Sequence, residues 1–181
     1  MASESLERKF TREFKTLDVD NDGFISRSDF ERIADNLASA LGLEPGSPKS
    51  DAIHARYMLW WEGVAVRDKD GDGRVDLAEW LAYDEEITSS PETYQKVLEA
   101  GADELFQMLD FDDDGVISLA EYATWIGSYG VNDVIAKEAF EHLDTSGAGR
   151  LSQDETRERV REYYQSEDPD APGNWLFGRP S

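Results

Sequence analysis

The sequence predicts an all-α fold: four helix–loop–helix units in two pairs, packed into one compact globular body with short β contacts between paired loops. Three observations carry this. A twelve-residue acidic pattern occurs four times, starting at residues 18, 68, 110 and 144, and repetition of this kind fixes architecture better than propensity does. Apolar residues recur at helical spacing before the loops: Phe10, Phe14 and Leu17 share one face, as do Ala102, Phe106 and Leu109. The eighth place of each loop is β-branched or leucine, at Ile25, Val75, Ile117 and Leu151. That regularity suits strand-like pairing of Ile25 with Val75 and of Ile117 with Leu151.

The second copy is the most regular. Asp68, Asp70 and Asp72 occupy its first, third and fifth places, Gly73 the sixth, and Glu79 the twelfth. This is the spacing of an EF-hand calcium loop, in which alternate residues turn inward around an ion that takes six to eight oxygens at about 2.3–2.6 Å. Three aspartates supply side-chain oxygens, Arg74 its backbone carbonyl, Asp76 a direct or water-bridged contact, and Glu79 two oxygens. Gly73 allows a turn with positive φ, which strains any residue bearing a Cβ. In the third copy Asp110, Asp112, Asp114, Val116 (through its carbonyl) and Glu121 match every ligand place.

The outer copies depart from this pattern. The first keeps Asp18, Asp20, Asp22 and the Phe24 carbonyl but ends in Asp29, one methylene shorter than glutamate. Single-oxygen coordination there is easier than bidentate, so magnesium, which wants six ligands at about 2.0–2.1 Å, competes better. The fourth keeps Asp144 and Glu155 but has Ser146 third and Ala148 fifth. Two carboxylates attract calcium far less than four, so this hand is expected to be structural and to exist as partner of the third. About three Ca2+ sites are therefore expected, with Mg2+ competing in the first.

Boundaries are readable between the units. Gly42 can end the second helix, and Ser47-Pro48 and Ser90-Pro91 each resemble an N-cap followed by proline at the first helical position. Gly130 and Asn132 mark the turn between the third and fourth hands. The expected division is a first pair over 1–88, a second over 89–166, and a tail over 167–181. After Tyr164, two prolines and Gly173 preclude helix, yet the tail carries Trp175, Leu176 and Phe177. That trio is expected to fold back into an apolar groove between the halves.

Composition narrows the function. Of 181 residues, 40 are Asp or Glu and 18 are Lys or Arg, a net charge of −22. Phosphate contacts need a basic surface, so nucleic acid is not an expected partner. Cysteine is absent, which excludes disulfides, thiolate catalysis and cysteine-based zinc sites. The run Met58 to Trp61 is too short to span a bilayer, and residues 1–5 carry neither an apolar signal region nor a glycine for myristoylation. A cytoplasmic monomer without a membrane anchor is expected. No nucleophile–base pair, phosphate-cradling loop or redox motif suggests an enzyme. His54 and His142 read as surface or helix-packing residues, and Trp60, Trp61, Trp80, Tyr83, Tyr122 and Trp125 as core.

Through its first three Asp-x-Asp-x-Asp-Gly loops, the Asp29 ending and one degenerate hand, the chain resembles the sarcoplasmic calcium-binding proteins and their calerythrin-like bacterial relatives over about residues 6 to 164. The resemblance implies a globular four-hand protein that buffers or transports calcium. A sensor for a protein target is the alternative, but sensors of the calmodulin type expose methionine-rich grooves, and only Met58 and Met108 are internal here. A photoprotein or luciferin-carrier relative would share the fold and use an aromatic cavity, on fold-level analogy alone.

Overall fold

The computed structural model describes residues 4–88 and 91–180, with the side chains of 84–88 and 91–93 excepted. Among the described residues, eight α-helices and four three-residue strands form four helix–strand–helix units. The first hand is α1 (Glu4–Leu17), β1 (Phe24–Ser26) and α2 (Arg27–Ala40); the second is α3 (Pro48–Val64), β2 (Arg74–Asp76) and α4 (Leu77–Thr88). The third is α5 (Pro91–Leu109), β3 (Val116–Ser118) and α6 (Leu119–Ser128), and the fourth α7 (Asp133–Leu143), β4 (Arg150–Ser152) and α8 (Gln153–Gln165). Short 3-10 turns cover Ala65–Arg67 and Pro172–Trp175.

Each strand pair is antiparallel and joins two loops. Ile25 faces Val75, and Ile117 faces Leu151. These four side chains are almost wholly buried, because the pleat turns the middle residue of each three-residue strand inward. Pairing sets the distance between adjacent loops.

Helix ends follow local chemistry. Ser47 accepts a hydrogen bond from the Ser50 amide with Pro48 at the first helical position, and Asn132 accepts from Ile135 at the start of α7. Gly42 follows α2 with φ +66°, a conformation that costs glycine little. Ser90 and the boundary between 88 and 89 lie outside the described residues, as do residues 1–3.

One apolar core runs through both pairs. Phe10, Phe14 and Leu17 of α1 are buried with Trp80 of α4, and Trp125, Phe140 and Tyr163 continue the cluster on the other side. Trp80, Tyr122 and Trp125 are buried, while Trp60, Trp61 and Tyr83 are half-buried at its edge. Hydrogen bonds cross between the halves: Tyr163 Oη to the Lys9 carbonyl at 2.7 Å, Tyr164 Oη to Glu13 Oε1 at 2.6 Å, and Asn36 Nδ2 to the Ser128 carbonyl at 2.9 Å. Such cross-links, on a shared core, hold the four hands in one body rather than a dumbbell. No helix among the described residues is long and apolar enough to cross a membrane.

The segment after α8 is ordered by side chains that lie far away in sequence. Leu176 and Phe177 are buried, with Phe177 against the rings of Trp125 and Tyr163. Tyr122 Oη donates to the carbonyls of Trp175 at 3.2 Å and Leu176 at 3.1 Å. Arg12 of α1 donates to the Asn174 carbonyl at 2.8 Å, and the His142 ring stacks on Trp175 at 3.8 Å. His54 pairs instead with Asp35 of α2 at 3.1 Å. Both histidines thus pack between elements.

Candidate metal centres

The loops are shaped by the aspartate at the first place. In the second loop Asp68 Oδ1 accepts from the Gly71 amide at 2.7 Å and Oδ2 from the Gly73 amide at 2.9 Å. Those two backbone amides hold the Asp68 carboxyl below the usual carboxylate range, since hydrogen bonds to the charged form favour it. Asp18, Asp110 and Asp144 reach the amides of Gly23, Gly115 and Gly149 in the same way. Gly73 has φ +85°, as the sharp turn requires.

Three loops bring carboxylates together. Oxygens of Asp18, Asp20 and Asp22 lie within 4.8 Å of one another, as do those of Asp68, Asp70 and Asp72, and those of Asp110, Asp112 and Glu121. The fourth loop yields no such trio among the described residues. Phe24, Arg74 and Val116 each open the strand of their loop. Asp114 stands beside the third trio, its Oδ1 accepting from the Val116 amide at 3.0 Å.

The closing residue ties each loop to its exiting helix. Glu121 Oε1 accepts from the Phe111 amide at 2.9 Å and Oε2 from the Ser118 amide at 2.8 Å. Glu79 spans the second loop likewise, from the Lys69 amide at 2.8 Å to the Asp76 amide at 3.0 Å. Both carboxylates therefore reach back across their loops. Asp76, read from sequence as a direct or water-bridged ligand, accepts from the Glu79 amide at 2.8 Å, which makes it the cap of α4.

Asp29 differs from the two glutamates. It is 1 % exposed; Oδ2 accepts from the Ser26 amide at 2.8 Å, while buried Oδ1 has no hydrogen-bond partner. Burial pushes its carboxyl up from the ordinary value, against the opposing hydrogen bonds from Ser26. A buried oxygen with no donor at the closing place of an acidic loop is what a cation ligand leaves, so the donor set fits a hard divalent ion.

With its folded pKa raised, ionised Asp29 opposes folding in metal-free protein. Its contribution is favourable below the unfolded value and is lost as pH rises through the folded one. Asp29→Asn is accordingly expected to raise the stability of chelated protein at neutral pH while weakening ion uptake by the first loop. Urea unfolding under chelation, paired with a calcium titration, checks both signs; a fall in stability with ion uptake unchanged would show that Asp29 serves only as a cap.

Acidic trios in paired helix–loop–helix units define a calcium-binding protein of the EF-hand class, and comparison with known families agrees. A family described as EF-hand domain pair matches residues 65–127, and one described as EF hand matches residues 11–34. The chain carries EF-hand domains and is similar to calerythrin and the sarcoplasmic calcium-binding proteins. Calerythrin of Saccharopolyspora erythraea is 28% identical over 167 residues, covering 91% of this chain and 92% of that protein. The sarcoplasmic calcium-binding protein of Hediste diversicolor is 28% identical over 134 residues, 71% of this chain and 72% of its own length. In fold, the chain matches the calcium-loaded apo form of the coelenterazine-binding protein of Renilla muelleri, with a TM-score of 0.81, 98% of this chain and 99% of the other covered, and 23% identity. Calerythrin and the sarcoplasmic relatives, matched over most of this chain, are calcium-binding proteins and not enzymes.

Sequence reasoning found the loops and missed what surrounds them. Lys9 donates to the carbonyls of Glu162 at 3.2 Å and Ser166 at 2.7 Å, clasping the end of α8. Arg67 interrupts the apolar pattern before the second loop, and its guanidinium lies 3.8 Å over the Trp80 ring and 4.4 Å over Tyr83. The break in that pattern was visible; its aromatic partners were not.

Proposed function

We propose that the protein is a cytosolic calcium buffer with three working sites, in the loops starting at Asp18, Asp68 and Asp110. The convergence of carboxylate oxygens in those three loops, and not in the fourth, carries this reading. Asp18, Asp20, Asp22 and Asp29 would hold the first ion, Asp68, Asp70, Asp72 and Glu79 the second, and Asp110, Asp112, Asp114 and Glu121 the third. The backbone carbonyls of Phe24, Arg74 and Val116 complete the three sets. Magnesium shares the first site, because Asp29 is held close to its own helix and favours one-oxygen coordination.

Buffering is favoured over signalling by the state of the apolar residues. Leu176 and Phe177 are inside the structure, and the chain has only three methionines with which to form an adaptable groove. The fourth hand serves to pair β4 with β3. Titration calorimetry with calcium in millimolar magnesium tests the proposal, and three binding events are expected. Glu79→Gln and Glu121→Gln should each weaken one event by on the order of a hundredfold, since ligand charge sets affinity across several decades. Two events or four would overturn the site count, and calcium-dependent capture of a protein target would overturn the buffering role.

A further inference from the structure

The first three loops differ in what their carboxylates touch. Among the described residues, the ligand carboxylates of the third loop meet only backbone amides and the Ser118 hydroxyl. The first and second loops each share one carboxylate with an arginine. Arg32 of α2 reaches Asp20 Oδ2 at 3.5 Å, and Arg74 of β2 reaches Asp72 Oδ2 at 3.1 Å. Asp20 and Asp72 each belong to one of the acidic trios, so a guanidinium already stands against a member of each.

Arg74 is held there from two sides. Its guanidinium lies 3.9 Å from the centre of the Phe24 ring, at the same seventh place of the neighbouring loop, and strand pairing sets Arg74 opposite Ser26. A cation over an aromatic face is attracted by the ring quadrupole, which favours this position over one extended into solvent. Arg27, also in the first loop, is engaged elsewhere, with Glu31 at 2.9 Å. The sequence shows the same contrast. Residues 110–121 hold five acidic side chains and no basic one, whereas 68–79 hold five with Lys69 and Arg74.

A guanidinium paired with a ligand carboxylate lowers the negative charge of a loop before any ion arrives. Calcium must part the pair or bind beside it, and in both cases binds more weakly, because affinity follows the charge of the ligands. The metal-free loop meanwhile gains a counter-charge that offsets repulsion among its aspartates. We propose that Arg32 and Arg74 are resident counter-cations of the first and second loops, which set those two sites to a lower calcium affinity than the third. This inference rests on the first three loops being calcium sites and adds their order: the third fills first. Both ion pairs are partly exposed and screened, so each changes affinity by a small factor rather than by decades.

The amides of Gly23, Gly73 and Gly115, at the sixth place of each loop, donate to the first-place aspartates. Their NMR signals follow the three loops separately in a calcium-buffered titration, and Gly115 is expected to respond at the lowest calcium concentration. Arg74→Gln, which keeps the backbone carbonyl of the seventh place, should move the Gly73 midpoint to about twofold to fivefold lower calcium and leave Gly115 in place. Arg32→Gln should do the same for Gly23. In chelated protein both variants should unfold at a lower urea concentration than the parent, a loss of stability set against a gain in affinity. Midpoints of Gly23 and Gly73 that stay unchanged, or that shift by the same factor as Gly115 through net charge alone, would overturn the inference while the three sites stand. A glycine that does not respond to calcium would overturn the assignment of its loop, and this inference with it.

Discussion

Chelation of calcium is expected to lower the stability of this protein by several kcal/mol, more than any substitution outside the loops. An ion that binds only the folded state adds about 2.7 kcal/mol when it is present at a hundred times its dissociation constant. The three proposed sites would together amount to about 8 kcal/mol, as large as the whole stability of an ordinary domain. Repulsion adds to the loss, because a chain of net charge −22 then retains its acidic trios without a counter-charge.

Acid cannot relieve that repulsion without a cost of its own. Asp68 is held below its ordinary value by the Gly71 and Gly73 amides. A group with a depressed folded pKa contributes stability above the unfolded value and loses it as pH falls through the folded one. The chelated protein should therefore weaken further in acid as these turns come apart. Urea unfolding followed by circular dichroism, with calcium in excess or with chelator, measures the difference. Identical midpoints would mean that the loops do not hold calcium in the folded state.

Gly173→Ala is expected to release the C-terminal segment. A Cβ at this position would lie 2.3 Å from the Arg159 carbonyl oxygen, 2.6 Å from Glu162 Cβ and 2.9 Å from the Tyr163 amide nitrogen. Two of those atoms are backbone of α8 and cannot turn aside as a side chain would. Ordinary overpacking costs about 1–3 kcal/mol because neighbours yield; here the cheaper outcome is for the tail to leave. Undocking exposes Leu176 and Phe177, at about 1.5–3 kcal/mol for each large apolar side chain. It also strips Tyr122 of its two carbonyl acceptors. The loss is thus on the order of 3–6 kcal/mol, and removing residues 167–181 should reach the same limit. Melting temperature and binding of an apolar dye report the change. A variant that melts like the parent and binds no more dye would show that α8 accommodates the methyl group.

The metal loops were legible in the sequence because they are local. An Asp-x-Asp-x-Asp-Gly run places its ligands within a dozen residues, and turn chemistry shapes it without help from distant chain, as the amides of Gly71 and Gly73 do for Asp68. The pairing of Ile25 with Val75 and of Ile117 with Leu151 was legible for a related reason, since repetition puts equivalent residues at equivalent places. Asp76 also caps α4 by accepting from the Glu79 amide at 2.8 Å, a second role that the reading as a direct or water-bridged contact did not include.

By itself the sequence determined the fold class, the loop positions and the hard-oxygen chemistry, all consequences of short-range spacing. The tertiary structure alone decided that Lys9 clasps the end of α8, that Gly173 presses against Arg159 and Tyr163, and that Arg74 of β2 lies over Phe24 of β1. Those contacts join separate elements, and in the case of Lys9 opposite ends of the chain. Close packing sets such distances to a fraction of an ångström, and no local pattern of residues encodes them.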